Sequence, residues 1–194
     1  MKILLIGDSI RMGYDKYVQE KLAGHAEVFF NGDNARFAEY TFRTLSMWKE
    51  QMKIDNVDAV HWNTGLWDTL RLYGDFRTLT DPEVYADYID RIERRIEFLF
   101  PGAKVIFATS TPVWEEKFDP TEDMRYNRDI EAFNKIAVDV LSKYPVTIND
   151  LYALMRDKPN ELHSDMTHYY TPEGTEILGS QVVRVLCDVL NINL

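Results

Sequence analysis

The chain is short of cysteine. Cys187 stands alone among 194 residues, so no intramolecular disulfide can form. The fold must rest on a buried core, and a chain of this length can build a sizeable one. Cys187 falls in an apolar C-terminal stretch and reads as a small core side chain. Nowhere do eighteen apolar residues run together, so no membrane span is expected. The apolar run beginning at Ile3 has no charged leader or cleavage site ahead of it, the pattern of a cytoplasmic chain. Positive charge is scarce: 22 Lys and Arg against 32 Asp and Glu leave a net charge of −10. Such a surface repels phosphate backbones, and no basic cluster offsets it, which argues against nucleic acid as a partner. Anionic lipid surfaces are disfavoured for the same reason. A glycine-rich phosphate loop and a dinucleotide fingerprint are both missing, as is the Gly-x-Ser-x-Gly elbow.

What is present is alternation. Five short apolar runs are separated by amphipathic stretches: Lys2–Ile6, Ala26–Phe30, Val57–Asn63, Lys104–Ala108 and Val146–Ile148. The stretch from about Arg11 to Ala23 reads as the first helix. Phe37, Thr41, Leu45, Trp48 and Met52 recur at helical spacing, as do Tyr85, Ile89, Ile92, Ile96 and Leu99. Asp81-Pro82 and Thr171-Pro172 mark helix starts, with Asp81 expected to cap through its side chain. Strands apolar on both faces and alternating with helices predict a parallel sheet covered on both sides. No repeat or linker interrupts the pattern, so residues 1–194 are expected to form one α/β domain.

In an open parallel sheet, ligands bind beyond the carboxyl ends of the strands. The polar residues at those ends are Asp8 and Ser9, then Gly32, Asp33 and Asn34, then Asn63, Gly65 and Asp68, and Thr109 to Thr111. The segment before the last helix adds His163, Asp165 and His168. A hydroxyl at a strand-to-helix turn, a histidine and an acid are the minimum set for nucleophilic acyl transfer. Ser9 is placed for it, because a helix N-terminus stabilises developing negative charge. No metalloprotease helix motif or cysteine pair accompanies the histidines, so no metal site is expected. His163 reads as an exposed loop histidine, His61 and Trp62 as core, and Asp68 as a loop-bracing acid. Trp67, Tyr73, Phe76 and Trp114 fall on loops where aromatic rings could line an acyl or sugar site.

Gly7-Asp8-Ser9 and Asp165-Met166-Thr167-His168 resemble the first and last blocks of the SGNH (GDSL-type) esterases and lipases. Gly32 resembles the second-block glycine, and Gly65-Leu66-Trp67-Asp68 the third block, Gly-x-Asn-Asp. The four blocks fall in family order across nearly the whole chain. The resemblance implies a three-layer α/β/α sandwich with a five-stranded, parallel, flavodoxin-like sheet. It also implies hydrolysis of a small-molecule ester through an acyl-enzyme, with no cofactor. Ser9 would be the nucleophile, His168 the base and Asp165 the residue orienting it. Turnover is then expected to fall in acid, as the imidazole is protonated. The expected substrate is a small acyl or acetyl ester, first an O-acetylated carbohydrate and next an acyl thioester or lysophospholipid. Asp8, Trp67 and Trp114 are candidates for contacting it.

One block departs from the family. The oxyanion hole would use the Ser9 and Gly32 backbone N–H groups and an asparagine amide, but Trp67 stands at the asparagine position. Losing such a donor costs about 2.7–4 kcal/mol of transition-state stabilisation. Asn63, two and four residues before Gly65 and Trp67, would face the same side of a continued strand and is the expected substitute. Without a donor there, the chain would instead be a hydrolase-like domain that binds acylated glycans.

Overall fold

A computed structural model describes all 194 residues. Five strands form one sheet: β1 (Lys2–Ile6), β2 (Glu27–Phe30), β3 (Ala59–Trp62), β4 (Lys104–Ala108) and β5 (Val146–Asn149). Every pairing is parallel, and the order is β2-β1-β3-β4-β5. The limits of β1 and β4 are the expected ones, β2 and β3 are shorter by one to three residues, and β5 runs one residue further, to Asn149.

Six helices cover the sheet: α1 (Ser9–Lys21), α2 (Ala38–Met52), α3 (Pro82–Leu99), α4 (Asn127–Leu141), α5 (Leu151–Met155) and α6 (Pro172–Leu190). The alternation of side chains along β1 sorts them into two layers. Ile3 and Leu5 pack with Ile10, Tyr14 and Val18 of α1 and Leu178, Val182 and Leu186 of α6. Leu4 and Ile6 face the other way, onto Leu45 and Trp48 of α2, Ile89, Ile92 and Ile96 of α3, and Phe133 of α4. Each of these buried aliphatic side chains contributes about 1.5–3 kcal/mol. This is the expected three-layer α/β/α sandwich.

Connectivity explains which helix lies where. From β1 the chain steps outward to β2, then returns across β1 to β3, and crossover connections are right-handed. Reversing the direction of travel therefore puts α1 and α2 on opposite faces. The reversal opens a crevice at the carboxyl ends of β1 and β3, where such sheets bind ligands.

The expected helix starts are found at Pro82 and Pro172. Thr171 caps α6 by accepting from the Gly174 N–H, whereas Asp81 makes no cap bond with its side chain. Pro82 already lacks one of the N–H groups that a cap would satisfy. No helix is long and apolar enough to cross a membrane. Cys187 is half-buried on α6 rather than enclosed.

Candidate active site

The turn between β1 and α1 is built around a buried carboxylate. Asp8, fully buried, is the N-cap of α1 and accepts from the Ile10 N–H at 2.9 Å. The same oxygen accepts from the Asn63 side-chain amide at 2.8 Å, linking the ends of β1 and β3. Burial raises the Asp8 carboxyl above the usual range, and these two bonds oppose that rise. Gly7 is required here by space: a Cβ would lie 1.8 Å from Asn63 Oδ1. At the end of β3, Gly65 adopts φ +128°, a conformation that side-chain-bearing residues rarely take.

This turn delivers Ser9 to the mouth of the crevice. His168 Nε2 lies 2.8 Å from Ser9 Oγ, and its Nδ1 lies 2.7 Å from Asp165 Oδ2. The other Asp165 oxygen accepts from the Thr167 and His168 backbone N–H groups at 2.6 and 2.8 Å. Desolvation pushes the Asp165 carboxyl up, but the bonds from His168 and the two N–H groups outweigh it, and the net shift is downward. An ionised Asp165 accepts the Nδ1 proton, which leaves Nε2 with a lone pair for the serine hydroxyl. Ser164 N–H donates to the His168 carbonyl at 2.7 Å and closes the loop that carries both residues. Three residues of spacing suffice for acid and imidazole to meet because the chain folds back on itself here. Tyr170 completes the arrangement. Its hydroxyl donates to the Ser9 carbonyl at 2.6 Å, and its ring stacks on His168 with centroids 4.7 Å apart.

Ser9, Asp165 and His168 open into a cleft of about 620 Å³. Its walls include Asn34, Trp67, Arg125 and Tyr170, with Met12, Leu70 and Phe118 as apolar lining and Asp119, Glu122 and Asp123 as acids. Of the other expected contact residues, Trp67 lines the cleft and two do not. Asp8 is enclosed beneath Ser9, where its Oδ1 accepts from the Ile10 N–H of the helix cap and from Asn63. Trp114 lies outside the cleft lining, beside His163 with ring centroids 6.3 Å apart. His163, expected on an exposed loop, is only 8% exposed and packs on Tyr169 at 3.9 Å. Tyr73 and Phe76 are exposed at 68% and 90%, away from the cleft. His61 and Trp62 are core, as expected, and burial lowers the His61 imidazole to about 3.

The expected oxyanion residues need correction at two positions. Asn63 is 1% exposed, lies behind the cleft wall, and gives its amide to the desolvated Asp8 carboxylate. Gly32 is exposed and outside the cleft lining. Two residues further on, Asn34 is in the lining. Its Oδ1 accepts from the Arg36 N–H at 2.8 Å, which leaves its amide NH₂ free. Arg11 holds this loop in place: it donates to the Asp33 carbonyl at 2.7 Å while paired with Asp15 at 2.6 Å, buried on α1. The Ser9 backbone N–H, on the first turn of α1, also has no acceptor within the chain. Arg125 escaped the sequence reading, and Asn34 stood only among the polar residues at the end of the second strand. The second-strand loop was legible as polar, but the residue aimed inward was not.

Asp68 braces the third loop, as expected. It accepts from the Ala38 N–H and Thr80 hydroxyl, capping the start of α2, and burial pushes it up to about 6.

No sequence-family model matches the chain, and no curated protein sequence matches it. Solved structures do. An acetyl xylan esterase superposes with a TM-score of 0.74 at 18% identity, over 96% of this chain and 100% of its own. The lipase/acylhydrolase from Enterococcus faecalis gives 0.75 at 22%, over 95% and 94%. A GDSL-like lipase from Bacteroides thetaiotaomicron gives 0.73 at 13%, over 96% and 88%. The chain has the SGNH-hydrolase fold. Within that fold, Ser9 stands after the first strand, and Asp165 and His168 stand before the last helix.

Proposed function

We propose that the chain is a serine ester hydrolase with Ser9 as nucleophile, His168 as general base and Asp165 as the residue that orients it. The observation that carries this is the continuous hydrogen-bonded path from Ser9 through His168 to Asp165, opening into a cleft of substrate size. Ser9 Oγ attacks the ester carbonyl as His168 Nε2 takes its proton, and the carbonyl electron pair moves onto oxygen. The tetrahedral centre collapses, and His168 returns the proton to the departing alcohol. Water, deprotonated by the same nitrogen, then cleaves the acyl–Ser9 bond and frees the acid. The Ser9 backbone N–H and the Asn34 amide are the donors for the oxyanion, reinforced by the positive end of the 13-residue α1.

The substrate class follows from the walls. Asp119, Glu122 and Asp123 repel phosphate-bearing acyl carriers and anionic headgroups, but they accept hydrogen bonds from hydroxyls. Trp67 and Tyr170 offer flat faces to a sugar ring. A short acyl ester of a carbohydrate, foremost an acetate, fits this lining best. The acetyl xylan esterase of the same fold is in keeping with that reading. The direct Ser9–His168 contact favours turnover over the binding of acylated glycans without it.

Labelling with a fluorophosphonate probe tests the reading. Wild-type protein is expected to be labelled at Ser9 and to hydrolyse p-nitrophenyl acetate and acetylated sugars, and S9A to do neither. Folded wild type that is inert to the probe and to an ester panel would overturn it.

A further inference from the structure

Trp67 occupies the place where the SGNH pattern has an amide donor, and Asn63 does not replace it. A cation is anchored against the same loop. Arg125, a part-buried residue just ahead of α4, donates from Nε to the Leu66 carbonyl at 2.8 Å. Its guanidinium carbon lies 6.0 Å from the centroid of the Trp67 ring. The two anchors bracket the third-block loop from one side. The side chain lines the same cleft as Ser9. Its two terminal nitrogens make no hydrogen bond within the chain, and no carboxylate lies within ion-pair distance. Desolvation lowers the Arg125 guanidinium, while Asp8, Asp123 and Asp165 oppose that effect without pairing to it. Its four terminal N–H groups therefore face the open cleft and are available to a group bound there.

We propose that Arg125 is a catalytic residue, supplying from the β3 side the oxyanion contact that Trp67 cannot. The assignment rests on the serine-hydrolase reading. As the Ser9 Oγ–carbon bond forms, the carbonyl π pair moves onto oxygen, and the Ser9 proton passes to His168 Nε2. The new negative charge then meets the Arg125 N–H groups, together with the Ser9 N–H and the Asn34 amide. Arg125 neither gains nor loses a proton. The Leu66 bond fixes its reach, so little reorganisation accompanies the reaction. A competing use, binding a carboxylate on the substrate, is disfavoured by Asp119, Glu122 and Asp123 on the same walls.

The test compares wild type, R125Q, R125K and R125A on a neutral acetyl ester, with thermal melting to establish folding. In R125Q, kcat is expected to fall about 10²–10³-fold while KM stays within about threefold. R125K keeps a charge but cannot hold the Leu66 carbonyl and reach the oxyanion together, so a loss of about tenfold is expected. Guanidinium ion at millimolar concentration should restore part of the R125A rate. Equality of R125K or R125Q with wild type overturns the assignment. So does a loss confined to KM for anionic esters, which would make Arg125 a substrate-anion site. A wild type that neither hydrolyses esters nor labels at Ser9 would sink the hydrolase reading itself. A reactive wild type with unaffected variants would sink only the role of Arg125. R125K serves if R125Q does not fold.

Discussion

Glu93 gives a quantitative check on the packing of this sandwich. It sits on α3 between Ile92 and Ile96, is 3% exposed, and its Oε2 has no hydrogen-bond partner. Desolvation, with repulsion from Glu97 added, pushes its carboxyl up to about 7 from the ordinary 4.5. The folded state therefore prefers the neutral acid. A raised carboxyl pKa contributes stability that is complete below about pH 4.5 and is lost as pH rises to about 7. Over that interval the loss is about 3 kcal/mol, since each tenfold change in proton affinity is worth about 1.4 kcal/mol. In E93Q the side chain stays neutral at every pH. Urea denaturation of both proteins at pH 4.5, 6, 7 and 8 should show near-equal stability at the acid end. By pH 8, E93Q should be ahead by up to about 3 kcal/mol, or about 6–12 °C in Tm for a domain of this size. Using the difference between the two proteins cancels the other titrating groups, including Asp68, which shifts in the same direction. A gap that stayed constant from pH 4.5 to 8 would refute the reasoning, because the effect would then not be ionisation.

Two further substitutions probe the site. In D165N the amide can donate to His168 Nδ1, which puts the imidazole proton on Nε2 and blocks its approach to Ser9. Turnover is expected to drop about 10²–10⁴-fold with Tm little changed, and a loss under threefold would show that Asp165 does not set the tautomer. G7A drives a methyl group against Asn63 Oδ1 and breaks the Asn63–Asp8 bond. Overpacking and the lost bond to a buried carboxylate together cost about 3–5 kcal/mol. Equilibrium unfolding measures this directly, and a cost below about 1 kcal/mol would mean that the turn relaxes freely.

Local pattern made much of this molecule legible. Ile3 to Ile6 could only be a strand buried on both faces, and Tyr85, Ile89, Ile92 and Ile96 could only line one helix face. Ser9 at a strand-to-helix turn needs no long-range information to be noticed. Asp165 and His168 lie close enough in sequence for one loop to align them.

The rest depended on competition between groups far apart in the chain. Asn63 had the right residue type and register for an oxyanion donor. However, the Asp8 carboxylate, stripped of water, draws its amide inward, and only the β1–β3 pairing brings them within 2.8 Å. Gly32 and Asn34 share one loop, and the buried Arg11, anchored on α1, sets which of them faces the cleft. Arg125 is 116 residues from Ser9 and carries no motif. The sequence by itself determined the α/β/α layering, through hydrophobic periodicity, and singled out Ser9, Asp165 and His168 through their resemblance to the SGNH blocks. Only the tertiary structure decided what faces the reacting carbonyl. Loop side chains settle wherever the buried polar groups around them leave a partner, and that accounting runs across the whole fold.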